Sequence, residues 1–382
     1  MKFRRLIFAN LFRKKVRLIL TIGSFAIALV LFTFLAVIKS AFNRGVEIAG
    51  ADRLIVVDRV GLMNLMPISY ADKIAAIPGV KAVAHDHWFG GVYQDEKNFF
   101  PQFVIDVENH RKVYPEFIVP DDHWNNFVKD RQGAIAGAKL AERFHWKVGD
   151  RIPIKTTLYG GAVWEFNLDG VYHTEKPDGD QGQFWLQWKY FDENVPSVIK
   201  STAGWYILKL NNPDDAVRVA KAIDEKFANS SHETKTQTES AFAAYFAKQF
   251  GNIEFLILTI GSVVFFTLLL VTGNTMAISV RERTGELAVL KAIGVTDRSV
   301  LFLVLAESVA IALFGGMLGL LLAWGAIPVI SGALTGMLPP LLLSKTMLAL
   351  GLIFAFLVGA ASGLLPGIGA MRMRVVNALR RV

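Results

Sequence analysis

The chain contains no cysteine, so disulfides, thiolate nucleophiles and cysteine-ligated metals are excluded. It also lacks Gly-x-x-x-x-Gly-Lys-Ser/Thr, the loop whose backbone cradles nucleotide phosphates, so these 382 residues do not hydrolyse ATP by that chemistry. Neither Gly-x-Ser-x-Gly nor His-Glu-x-x-His occurs, which removes two common hydrolase signatures. Charge is missing, or nearly so, from four long stretches: Leu18–Ile38, Phe255–Val280, Val300–Val329 with Glu307 as its one ionisable residue, and Thr346–Met371. A helix of about 20 apolar residues crosses the roughly 30 Å hydrocarbon core of a bilayer. A purely soluble, disordered or coiled-coil chain is excluded, and four membrane-spanning helices are expected.

What charge there is lies between the spans. Residues 1–17 carry seven basic residues and no acid. Residues 281–298 carry Arg281, Arg283, Lys291 and Arg298, and the tail 372–382 carries four arginines. In a four-span topology these segments share one side, and basic loops face the cytoplasm. Both termini are therefore expected inside a bacterial cytoplasmic (inner) membrane. Residues 39–254, where acids outnumber bases, are expected outside. The basic excess is topological, so nucleic-acid binding is not expected. Phe3, Leu6, Ile7 and Leu11 recur at helical spacing among basic residues, which predicts a short amphipathic helix on the inner face. The small-residue site Ala49-Gly50-Ala51 lies far beyond the first apolar run, so that run is expected to remain as an anchor.

About 210 residues separate the first two spans, enough for a domain with its own core. Arg53–Asp58, a helix opened by Ser69, and Val80–Trp88 read as strand–helix–strand. Trp205–Leu210, a helix from Asn212-Pro213 and Thr234–Thr238 repeat that order. Two porter-like βαβ units are expected to flank a small β insert at about 133–200. There Ile152, Ile154, Thr156 and Leu158 alternate, as do Trp164, Phe166 and Leu168, and then Phe184 to Phe191. Trp185 and Phe191 fall off the core face of that last run. They are expected either to pack inside or to form an outer surface for a partner or apolar ligand. A stalk helix at about 238–254 is expected to lead into the second span. His85 and His87 share a strand face without a third ligand, so structural imidazoles are favoured over a metal site. The fold class is thus an α-helical membrane protein with an α+β domain between helices 1 and 2.

The most informative segment is Arg281-Glu-Arg-Thr-Gly-Glu-Leu-Ala-Val-Leu-Lys-Ala-Ile-Gly294. Leu287, Leu290 and Ile293 form a stripe, and Gly294 stands where a helix ends. An apolar stripe on an inner-face helix needs a cover, from lipid headgroups or a soluble partner. Inside the spans, Gly315 and Gly319 and then Gly359, Gly363 and Gly367 allow close helix approach. Glu307 needs a partner, and Arg281, Arg283 or the basic N-terminus are the candidates. No second intramembrane acid or histidine exists to pass a proton to, so pairing is favoured over a relay.

These motifs resemble those of the MacB/FtsX-type ABC transporter permeases, also called the type VII or mechanotransmission class. Arg-x-x-x-Glu-Leu followed by Leu-Lys-Ala-Ile-Gly, then Leu305-Ala-Glu307-Ser with Gly315-Gly316 and Gly319, is similar to that family's loop and third span. Ala136–Phe144 followed by Val148-Gly149-Asp150 resembles an element of its periplasmic core. The resemblance implies a non-catalytic subunit that binds no cofactor itself, with ATP and Mg on a separate ABC ATPase. It implies a second permease copy or paralogue, an adaptor protein in the periplasm, and an ATPase docked on Arg281, Arg283, Glu286, Leu287, Leu290, Lys291 and Gly294. Only 17 residues precede the first span, unlike exporters that fuse the ATPase ahead of it. Export or lipoprotein handling is the expected role, with signalling to a cell-wall enzyme or antibiotic sensing as the alternative. An ATPase-independent receptor or scaffold is the third reading. Mutation separates them: Glu286→Arg or Leu290→Asp is expected to abolish ATPase association in a pull-down under the first two and to change nothing under the third.

Overall fold

The computed structural model describes residues 14–48, 50, 52–176, 179–249, 253–335 and 341–374. The expected amphipathic helix at the N-terminus, the junction of stalk and second span, and most of the basic tail lie outside them. The chain forms two compact units. One comprises Met1–Ser40, Asn252–Val329 and Leu341–Val382, and the other Ala41–Gly251 with Ile330–Pro340.

Four helices of the first unit are long and apolar enough to cross a membrane: α1 (Lys15–Ile48), and, after the inserted domain, Ile253–Glu282, Asp297–Ala333 and Lys345–Met371. Several of their hydroxyls are neutralised locally, while those of Thr33 and Thr272 are buried without a partner among the described residues. Thr21, Ser24, Thr259, Ser262, Thr267 and Thr275 each donate to the carbonyl four residues earlier. The glycines of helix Asp297–Ala333 mark where its neighbours sit. A Cβ on Gly315 would stand 2.8 Å from the Ile22 carbonyl, and one on Gly319 2.9 Å from Leu29 Cβ, both on α1. Gly359 and Gly363 of the last helix face Ala312 and Ser308 in the same way, and the Ser308 hydroxyl donates to the Gly359 carbonyl at 2.7 Å. Small residues thus seat the third span between the first and fourth.

The inserted unit is built on one 11-stranded sheet. Its elements in chain order are β1 (Arg53–Asp58), β2 (Met66–Pro67), α2 (Tyr70–Ala75), β3 (Val80–Trp88), β4 (Gly91–Val92), β5 (Gln102–Ile105), α3 (His110–Val113), β6 (Phe117–Ile118), α4 (Asp121–Lys129), β7 (Gly133–Gly137) and α5 (Ala138–Phe144). There follow β8 (Arg151–Thr156), β9 (Val163–Thr174), β10 (Phe184–Gln187), α6 (Trp188–Asn194), β11 (Thr202–Ala203), β12 (Trp205–Leu210), α7 (Ala216–Lys226), β13 (Thr234–Thr238) and α8 (Glu239–Gln249). The membrane helices after the domain are α9 (Ile253–Glu282), α11 (Asp297–Ala333) and α12 (Lys345–Met371), with the short α10 (Thr284–Ala292) between the first two.

The two βαβ units interleave. Strand order begins β13-β1-β12-β3, all antiparallel, which is a split βαβ arrangement. Val219 and Ile223 of α7 and Ile74 of α2 bury one face of it with Leu54, Val56 and Leu208. The β insert is not a separate body. Asp86, His87 and Trp88 at the end of β3 pair with β5, and the sheet runs on through β10, β7, β9, β8 and β4. Alternation placed Ile152, Ile154, Trp164, Phe166 and Leu168 in one core, as expected for half-buried strands.

Two expectations change. The run Phe184–Phe191 is a strand only to Gln187. Trp188 and Phe191 are also three apart, a helical spacing that alternation alone does not distinguish. Trp185 and Phe191 are 1% and 2% exposed, so neither forms an outer surface of this unit. Trp185 stacks on Tyr172 with ring centroids 4.1 Å apart, and Phe191 sits between His87 and Tyr159. Ser69 precedes α2 but its hydroxyl makes no cap bond.

Behind β3 lies a buried polar group. His110 Nδ1 is 4.0 Å from Asp86 Oδ1. Burial pushes His110 down to about 3, against the pull of Asp106 and with help from Arg53. Unfolded histidine takes up a proton near pH 6.5 and the native ring does not, so this group destabilises the fold as pH falls below that value. Asp86, pushed well up by burial and Asp106, acts oppositely and destabilises as pH rises above the unfolded carboxylate range. His110→Phe is expected to flatten the acid-side loss of thermal stability below pH 6.5, by up to about 1.4 kcal/mol per pH unit, in melting curves across pH.

Candidate coupling site

The loop singled out in the sequence folds as α10, a helix of two and a half turns held at both ends. Gly294 has φ +98, a backbone that favours glycine. Its amide donates to the Lys291 carbonyl at 3.1 Å, and Val295 donates to Leu290 at 3.0 Å. This is the paired closure of a Schellman motif, and Leu290 and Val295 both pack on the membrane core, supplying its hydrophobic contact.

Three ionic attachments hold α10 and the two residues before it to the spans. Arg283, just before the helix, donates to Glu307 Oε2 of α11 at 2.5 Å and to the Ser279 hydroxyl at 3.0 Å. Both charged side chains are under 10% exposed. The partner of Glu307 is therefore Arg283; Arg281 is exposed, and Lys14 and Arg17 pair with Glu282. Lys14 and Arg17 each meet Glu282 at 2.6 Å. Lys291 spends all three ammonium protons, on the carbonyls of Met371 and Met373 at the end of α12 and on Asp297 Oδ1 at the start of α11. A cation at a helix C-terminus satisfies open carbonyls and opposes the helix dipole. A cavity of about 220 Å³ lined by Thr21, Thr275, Ser279 and Glu307 runs beside the pair.

Two residues of the apolar stripe, Leu287 and Leu290, face inward, and the third, Ile293, does not. Leu287 and Ala288 are buried, and Leu290 packs against the core of Phe25, Met276, Val300 and Val304. Leu290→Asp therefore strikes the permease's own core as well as any partner. The exposed face is Glu286, Val289 and Ile293, with Val289 50% and Ile293 73% exposed. Positions 286, 289 and 293 lie on one helical face. Val289 was not singled out in the sequence, since only the packing shows which of two apolar stripes is used internally. The role of Glu282 was likewise hidden, because its partners Lys14 and Arg17 lie far away in the chain.

The model of the MacB-like periplasmic core domain matches residues 18–226, and that of the FtsX-like permease C-terminal domain matches residues 258–375. The chain belongs to the MacB/FtsX-type ABC transporter permeases. It is 25% identical over 327 residues to the uncharacterized ABC transporter permease MJ1507 of Methanocaldococcus jannaschii, covering 81% of this chain and 78% of that one. It is 30% identical over 177 residues to the uncharacterized permease YknZ of Bacillus subtilis, spanning 44% of that protein. With the macrolide export ATP-binding/permease protein MacB of Agrobacterium fabrum it shares 32% identity over 305 residues, 78% of this chain and 41% of MacB. The periplasmic region of MacB from Actinobacillus actinomycetemcomitans superposes with a TM-score of 0.38 at 10% identity, over 53% of this chain and 95% of that one. An ABC permease works with an ATPase, and the domain between helices 1 and 2 is the extracytoplasmic one.

Removing one partner of a buried pair strands the other charge. Arg283→Ala is expected to cost this permease about 3–5 kcal/mol in thermal unfolding in detergent. Arg283→Met combined with Glu307→Leu is expected to recover most of that loss. Equal melting of the single and double variants would show that the pair carries no such weight.

Proposed function

We propose that this permease converts ATP binding and hydrolysis by a separate ATPase into motion of its extracytoplasmic domain. The observation that carries this reading is α10. It and the two residues before it are bound to α1 through Glu282, to α11 through Arg283 and Lys291, and to α12 through Lys291, while Glu286, Val289 and Ile293 are exposed. A push on that face reaches three spans through short ionic contacts rather than through loops. ATP and Mg belong to the partner, and both termini and α10 lie in the cytoplasm beneath the inner membrane. A second permease copy or paralogue completes the assembly, and an adaptor in the periplasm couples the stroke to export or lipoprotein handling.

The spans suit this division of labour. Glu307 is the one ionisable residue in a span core and is neutralised by Arg283, so the spans present no polar path for cargo. Work on substrate is then done on the outer side, by the domain that moves.

Val289→Asp and Ile293→Asp are the cleaner probes, since both side chains are exposed. Each is expected to leave the melting temperature near wild type and to weaken ATPase capture in pull-downs roughly tenfold or more, the scale of a lost interface anchor. Undiminished capture by both variants would remove α10 as the docking element.

A further inference from the structure

The inserted unit meets its two membrane connections at one point. β1, which follows α1, and β13, which leads into α8, are neighbouring antiparallel strands, with Leu54 opposite Thr238. That register puts Arg53 opposite Glu239, the first residue of α8, and no loop separates β13 from α8. The Glu239 carboxylate collects three donors from three segments. Gly50 N–H reaches Oε2 at 2.7 Å, Arg53 Nε reaches Oε2 at 2.6 Å, and the Tyr114 hydroxyl reaches Oε1 at 3.1 Å. Arg53 also pairs with Glu116 at 2.8 Å and lies over the Tyr114 ring at 4.6 Å.

The cluster is shielded. The Arg53 and Glu239 side chains are 6% and 15% exposed. Burial disfavours the Arg53 charge, but Glu239 and Glu116 outweigh it and hold the guanidinium above its ordinary pKa. Burial, with Glu239 and Asp86 nearby, pushes the Tyr114 phenol up, so it stays protonated and donates. A Cβ at Gly50 would come 2.7 Å from Arg53 Cζ, so the close approach requires the missing side chain. Phe242, one turn further along α8, packs on the same sheet face as Ile55, Val57 and Ile207.

We propose that Glu239 is a positioning residue that clamps the segment leaving the first span to the root of the stalk helix, so that both move with the sheet as one lever. The proposal deepens the mechanotransmission reading and rests on it for its role in the stroke, but the clamp itself is tested without the ATPase. In this cysteine-free chain, Val217→Cys on α7 and Tyr245→Cys on α8, 83% and 51% exposed, take spin labels at defined sites. Electron–electron double resonance on the full-length permease then reads the angle of α8 against the sheet. The unmutated clamp is expected to yield one narrow distance distribution, Glu239→Ala one at least twice as wide, and the near-isosteric Glu239→Gln an intermediate width. With the ATPase present, Glu239→Ala is expected to keep ATP hydrolysis and lose the ATP-driven distance shift, a readout that a purely stabilising residue would not change. Wild-type width in Glu239→Ala protein that melts normally overturns the clamp. If that variant does not fold, Glu239→Gln is judged by the same criterion. A wild-type permease with no ATP-driven shift at all sinks the mechanotransmission reading, while the widths still decide the clamp.

Discussion

A charge inside a membrane helix must find its counter-charge within the protein, because the hydrocarbon supplies none. Glu307 is that charge, and Arg283 at the foot of α10 answers it. The pairing holds the junction of α9 and α10 against α11. Lys291 then closes the other end of α10 on the last carbonyls of α12, so a helix of nine residues is seated on three spans. The small residues of α11 serve the same geometry. Without side chains at Gly315 and Gly319, α1 approaches closely enough for Lys14 and Arg17 to share Glu282.

The extracytoplasmic domain follows a parallel logic with backbone hydrogen bonds in place of ion pairs. Its sheet begins and ends its chain path on adjacent strands, β1 and β13, so both connections to the membrane emerge side by side. The continuation of the sheet through β3 and β5 into the β insert carries the core outward without a hinge of irregular chain. Bending between the two parts of the domain would break that continuous ladder.

Much was legible from pattern. Four uncharged runs of adequate length, basic loops on one side and alternating strands at Ile152–Thr156 and Trp164–Leu168 each report one local rule, and those rules act over a few residues. The Arg281–Gly294 segment was legible as a helix for the same reason, since Gly294 and the spacing of Leu287 and Leu290 are local signals. Less legible was which side of that helix is exposed. Leu287, Leu290 and Ile293 form one apolar stripe and Val289 flanks it, yet Leu287 and Leu290 serve the permease's own core and Val289 and Ile293 do not. Trp185 and Phe191 were ambiguous in the same way. A large apolar side chain has no preference for a partner's surface over its own domain's interior until neighbours such as Tyr172 and Tyr159 are placed.

The sequence by itself determined the number of candidate spans and the position of the domain between the first two. These follow from composition along the chain, because the bilayer sorts residues by polarity and length alone. The tertiary structure decided what composition cannot encode: the choice of Arg283 for Glu307, of Lys291 for the end of α12, and of Glu239 for Gly50, Arg53 and Tyr114. Each joins residues from 24 to 189 positions apart. Such pairs are selected by packing that brings a buried charge within hydrogen-bond reach of one donor among many, and that selection exists only once the helices and strands are in contact.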